Sequence, residues 1–139
     1  MPSLHPQVQK ARDLMPLIAA ASAENDEIRK LTQPVVRALI DGGFFTMLKT
    51  KAVGGMELKP SVFAQVTEAI ASADGSTGWV VCQSNGCSTT SAYLDPAIAE
   101  KIFGRPDGIV AWGPPGSPYE ATPVAVSYTH LTLPTNREV

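Results

Sequence analysis

Two cysteines, two histidines and one Gly-Pro-Pro-Gly run are the residues of this 139-residue chain in which chemistry would first be sought. Cys82 and Cys87 stand five positions apart. That spacing fits neither a zinc knuckle nor a CxxC redox pair. His5 lies in an N-terminal segment expected to fray, and His130 lies in a tail of anomalous composition. A Ser-His-Asp or Cys-His system therefore has no histidine to draw on. No cluster of His, Cys, Asp and Glu has the spacing of metal ligands. There is no GxGxxG and no GxxxxGK[ST]. Gly113-Pro114-Pro115-Gly116 is not a substitute, because its prolines lack the backbone N–H groups a phosphate would need. The chain holds no self-sufficient active site, and no catalytic residue is assigned within it.

The elements that would position any site are helical. Val8, Ala11, Met15, Ile18 and Ser22 recur at helical steps, so Gln7 to about Ala23 forms a first helix, kinked or split at Pro16. Glu24 to Leu31 reads as a charged, solvated connector. Thr32 caps a second helix with Pro34 in its first turn and Gly42-Gly43 as its stop. Phe44 and Phe45 should then pack back on the core. Gly54-Gly55 marks a turn, and Pro60 opens a third helix with the stripe Phe63, Val66, Ile70 and Ala73. After Asp74-Gly75, Ser76 or Thr77 can cap a fourth helix running to about Tyr93. Trp79 is expected to bury its ring between helices. The small residues Ser84, Gly86, Cys87, Ser88, Ser91 and Ala92 leave room for a second backbone or a flat ligand. A fifth helix spans Pro96 to Phe103 with Gly104 as its cap, and Gly108 to Trp112 reads as a strand. All-helical structure passing into strands implies either a layered α-β-α arrangement or two domains.

Composition narrows the function classes. The chain is 44% hydrophobic and 17% charged with a formal net charge of -2, which suits a folded domain and gives no electrostatic reason to expect nucleic acid or an anionic membrane. No apolar run approaches the roughly 20 residues of a membrane span, and Met1 to Lys10 lacks the layout of a secretory signal. Two free thiols without a signal fit a cytoplasmic location. The tail Ala125 to Val139, AVSYTHLTLPTNREV, shifts abruptly toward threonine. Its core, Val126 to Thr135, resembles the translated read-through of a transposon-type sequencing adapter. A real strand is the other reading of those residues. The adapter reading ends the genuine sequence near Val124 and removes His130 from functional consideration. The expected division is a helical domain at 1–106, the start of a β domain at 107–124, and an adapter-derived tail at 125–139.

Three segments, in order, carry a family resemblance. Leu39-Ile40-Asp41-Gly42-Gly43-Phe44-Phe45 is similar to an L-x-x-x-G-L/F-F helix end. Lys51-Ala52-Val53-Gly54-Gly55-Met56-Glu57-Leu58 is similar to a P-x-x-x-G-G-x-E/D turn, and Ile70 to Trp79 is similar to I-A-x-x-D-x-S-x-x-W. Together they resemble the N-terminal domain of the acyl-CoA dehydrogenase superfamily, and the last favours its flavin-dependent monooxygenase branch of two-component hydroxylases. The resemblance covers roughly Ala11 to Val124. It implies a mainly α fold: a helical N-terminal domain, then the first strand of a truncated β-barrel, with a C-terminal helical bundle beyond. It implies a flavin, FAD or FMN, supplied reduced by a separate reductase, with O2 and an aromatic or heteroatom-bearing small molecule as co-substrates. It further implies a homo-oligomer, a tetramer, for the intact parent.

By the same resemblance Ala111, Trp112, Gly113 and Pro114 border the flavin, and Asn85 and Ser88 face the substrate. Trp112 as an ordinary core aromatic, and Asn85 and Ser88 as helix-packing residues, are the competing readings. Several hydroxylases place a histidine on the fourth helix where this chain has Asn85, Cys87 and Ser88, which argues against phenol deprotonation from that helix. Cys82 and Cys87 read as small core residues. The alternatives are an acyl-CoA dehydrogenase proper and a non-catalytic helical interaction module. The chain alone is expected to turn over nothing.

Overall fold

The computed structural model describes residues 4–112, and these contain five α-helices: α1 (Pro6–Ile28), α2 (Gln33–Asp41), α3 (Pro60–Ala73), α4 (Gly75–Ser88) and α5 (Pro96–Phe103). Short 3-10 turns at Lys51–Val53 and Thr89–Ala92 join the loops to the helices. Four of the five helices carry proline in the first turn, where its missing N–H costs nothing and its fixed φ suits the helix. The expected domain boundary at 106 falls within the described residues, near their end, and the segments beyond 112 lie outside them.

The body is built by α1 on α3 and α3 on α4. Val8, Ala11 and Ile18 from α1, Val35 and Leu39 from α2, Val66 and Ile70 from α3 and Val81 from α4 share one buried core with Phe44, Phe45 and Met47. Burying a side chain of this size contributes about 1.5–3 kcal/mol, so this cluster supplies most of the driving force. The approach of α3 to α4 depends on Gly78, where an added Cβ would meet Ala71 Cβ at 2.6 Å. A smaller second core joins Val53, Ala99 and Phe103, with Leu94 and Val110 packed against it.

Several expectations are corrected. The first helix is neither split at Pro16 nor ended near Ala23; it runs through to Ile28. Pro16 is on the exposed side, where a carbonyl deprived of its helical donor turns to water. Neither Ser76 nor Thr77 caps α4: Asp74 does, accepting from the Thr77 N–H at 2.8 Å. Helix α4 ends at Ser88, with a 3-10 turn continuing to Ala92. Trp79 is not buried between helices but is 65% exposed, because the opposite face of α4, with Thr77, Gly78, Val81, Ser84, Asn85 and Ser88, is the one that packs. Gly108 to Trp112 forms no strand among the described residues; a ladder requires a partner strand.

Candidate functional site

Helix α4 and the segment that follows α5 carry the residues singled out by sequence. Asn85 sits fully buried in the last turn of α4. Its Nδ2 donates to Phe44 O at 2.7 Å and to Val81 O at 2.8 Å, and its Oδ1 accepts from Leu48 N–H at 3.2 Å. The amide therefore fastens α4 to the 44–48 loop, with all three bonds made within the protein. Ser88 is 3% exposed, and its Oγ donates to Asn85 O at 2.8 Å. One turn on, Ser91 Oγ accepts from Thr50 N–H at 3.2 Å. This row of polar side chains fixes the helix while its other face stays free. That free face carries Trp79 and Gly86 as exposed residues, with Gln83 between them and Cys87 after Gly86 half-buried. An added Cβ at Gly86 would meet nothing within 4 Å. Cys82 and Cys87 are both free thiols and both half-buried.

The exit segment is anchored by Val110 against the second core. Ala111 and Trp112 follow outside any helix and are exposed, Trp112 at 64%. Among the described residues neither amide has a hydrogen-bond acceptor. Gly113 and Pro114, the other two residues expected there, lie outside the described residues.

Two buried polar residues escaped the sequence reading. Lys49 is 1% exposed, and its Nζ donates to Phe103 O at 2.6 Å and Arg105 O at 3.4 Å. Burial pulls its ammonium below the ordinary lysine range, partly offset by the Glu100 carboxylate. Lys49 thus caps the C-terminus of α5, where a cation is favoured, and holds the start of the exit segment. No local signal distinguishes it from Lys51 two positions on. Asp74 is the second. Burial alone would raise its carboxyl, but hydrogen bonds from Thr77 Oγ1, Thr77 N–H, Ser22 Oγ and Ser76 N–H hold it below the usual range. The Ser22 bond, at 2.8 Å, ties α1 to the start of α4. An Asp directly before a Gly-Ser-Thr run is a local cap signal that was passed over in favour of Ser76 or Thr77; nothing local points to the Ser22 partner.

Among the described residues no group of three His, Cys, Asp or Glu could hold a metal ion, and no helix is long and apolar enough to cross a membrane.

The family model for the acyl-CoA dehydrogenase N-terminal domain matches residues 9–102. The chain belongs to that family. It is 34% identical over 93 residues to the oxygenase subunit HsaA of a flavin-dependent monooxygenase from Mycobacterium tuberculosis, covering 67% of this chain and 24% of that one. It is 34% identical over 94 residues to indole-3-acetate monooxygenase from Pseudomonas putida, covering 68% and 24%. The fold matches the crystal structure of 3-HSA hydroxylase from Rhodococcus sp. RHA1 with a TM-score of 0.69 and 29% identity, over 74% of this chain and 27% of that one. The chain spans about a quarter of the length of these relatives.

Proposed function

We propose that this chain is the N-terminal helical part of a flavin-dependent monooxygenase that hydroxylates an aromatic or heteroatom-bearing small molecule. The observation that carries the reading is the similarity to monooxygenases over most of the helical domain, combined with the match to a hydroxylase fold. The flavin, FAD or FMN, would arrive reduced from a separate reductase and supply the oxygen-activating chemistry that no side chain here provides. Ala111 and Trp112 would contribute backbone donors and a ring wall on one side of it, with Gly113 and Pro114 continuing that edge.

The exposed face of α4 is proposed as a wall of the substrate cavity. Asn85 and Ser88 would serve that wall from behind: their bonds fix the helix, so the free face is presented in one orientation. A homo-tetrameric, cytoplasmic parent enzyme acting on neither nucleic acid nor membrane completes the proposal.

The test begins by sequencing the source DNA through the codon for Val124 and expressing the protein it encodes. With a reductase, NADH and flavin, that protein is expected to consume O2 in a manner stimulated by an aromatic substrate. Anaerobic bleaching of its flavin by an acyl-CoA would establish a dehydrogenase instead. Genomic confirmation of the 126–135 codons followed by a stop, with no flavin binding, would favour a non-catalytic helical module.

A further inference from the structure

The glycine-containing turn Gly54–Leu58 packs against a strap of chain at 46–50. Met56 N–H donates to Thr46 O at 2.9 Å, Leu58 N–H to Met47 O at 2.8 Å and Glu57 N–H to Lys49 O at 3.2 Å. Gly55 permits this approach. An added Cβ there would overlap Lys49, whose carbonyl oxygen, carbonyl carbon and Cβ are its three nearest atoms. The N–H groups of the strap go elsewhere: Leu48 N–H to Asn85 Oδ1 and Thr50 N–H to Ser91 Oγ. The backbone around Lys49 is therefore held by two separate elements before its side chain makes any bond.

From that fixed base the buried Lys49 side chain reaches the end of α5, where Nζ donates to Phe103 O and Arg105 O. Arg105 O also accepts from Gly108 N–H at 3.0 Å, and the Arg105 guanidinium grips Asp107 through bonds of 2.9 and 2.8 Å. Ile109 N–H donates to Asp107 O at 2.9 Å, and Val110 packs against the second core. The 103–110 segment is thus one closed turn. Among the described residues, Lys49 makes the only hydrogen bonds that tie this turn to anything before α5. Any other course of the segment would strand a buried ammonium and the Phe103 carbonyl, so one course is strongly favoured.

We propose that Lys49 is a positioning residue: braced by the Gly54–Leu58 turn, it sets the direction in which Val110, Ala111 and Trp112 leave the helical domain. Lys49 is buried beneath the end of α5 and acts only through it. Its bearing on catalysis rests on the reading that Ala111 and Trp112 border the flavin. On that reading a loosened exit segment weakens flavin binding, because the ring wall must then be ordered at the moment the flavin binds.

The experiment follows amide hydrogen exchange by NMR in the 139-residue chain. Lys49→Met keeps an apolar stem and removes the donor, and should speed exchange at Gly104 and Gly108 about tenfold. Ile70→Val, in the larger core, lowers Tm but should leave those two amides unmoved, because their opening does not pass through that core. Gly55→Ala should speed them as well, although its methyl group strikes Lys49 and not α5. Lys49→Met keeps the test decisive should Gly55→Ala fold poorly. In chains carrying Trp79→Phe, which leaves Trp112 as the sole tryptophan, Lys49→Met should enlarge the fast phase of Trp112 anisotropy decay. Exchange unmoved by Lys49→Met, or raised equally by Ile70→Val, overturns the proposal, and so does an unchanged Trp112 decay. In the full-length protein recovered from the source DNA, Lys49→Met should raise the flavin Kd several-fold, and an equal Kd also overturns it. A full-length protein that binds no flavin sinks the monooxygenase reading instead, and the exchange rates then decide the role of Lys49.

Discussion

Replacing Asn85 by alanine separates a structural anchor from a side chain held ready for a ligand. The substitution removes three hydrogen bonds. Val81 O sits four residues back on the same helix and keeps its backbone partner, but Phe44 O and Leu48 N–H lose the side-chain partners found for them. Each buried unsatisfied group costs about 1–3 kcal/mol, so with two such groups Asn85→Ala should cost about 2–6 kcal/mol. For a domain of this size that lowers Tm by roughly ten degrees or more. Urea unfolding followed by far-UV circular dichroism measures it directly. Asn85→Asp sharpens the test. The aspartate keeps an acceptor for Leu48 N–H but points its other oxygen at two carbonyls. Its folded pKa should therefore rise, and the variant should regain stability as pH falls and the carboxyl becomes a donor. A loss below about 1 kcal/mol for Asn85→Ala, or a pH-independent penalty for Asn85→Asp, would refute the anchoring role.

Three further outcomes follow from the same geometry. Asp74 has a depressed carboxyl pKa, so its stabilisation is present above the unfolded value near 4 and is lost as pH falls through the folded one; Asp74→Asn should flatten urea midpoints between about pH 5 and pH 2 and cost roughly 1 kcal/mol at neutral pH. Lys49→Met keeps the apolar stem but leaves Phe103 O and Arg105 O without their donor, costing about 1–3 kcal/mol by denaturant titration. Because the Lys49 pKa is lowered, the unsubstituted chain should gain stability relative to this variant as pH rises toward the ordinary lysine value near 10.4. Gly86→Ala, at an exposed position in the last turn of α4 with nothing nearby, should raise stability by about 0.4–1 kcal/mol; a lower Tm would mean that the face is already occupied.

The helices were legible because their punctuation is local. Pro60 opens α3, Asp95-Pro96 opens α5, and Gly104 closes it, each by chemistry confined to a few residues. The buried phenylalanines after Gly42-Gly43 were legible for the same reason: a glycine stop followed by large apolar side chains has one sensible place to go. The site was less so. Trp79 reads as core in any window, and only the packing of α4 on α3 through Gly78 decides that its side of the helix stays open. Asn25, Lys49 and Asn85 are buried polar residues whose partners lie 7, 54 and up to 41 positions away. A residue type cannot announce an acceptor that only tertiary structure brings to it. Gly113 and Pro114 stand beyond the described residues, so their place beside Trp112 rests on sequence alone.

The separation of the two cores has a consequence for how the molecule opens. Val53, Ala99 and Phe103 form a cluster apart from the larger one, and Lys49 bridges the pair by reaching from the 47–49 strap to the end of α5. Native-state hydrogen exchange should resolve two cooperative units. The amides of Ala99 and Gly104, bonded to Asp95 O and Glu100 O, would exchange through a subglobal event that leaves the amides around Ile70 and Val81 protected. The backbone leading to Trp112 is thus tethered to the unit with the lower opening free energy, and its direction can vary without melting the helices behind it.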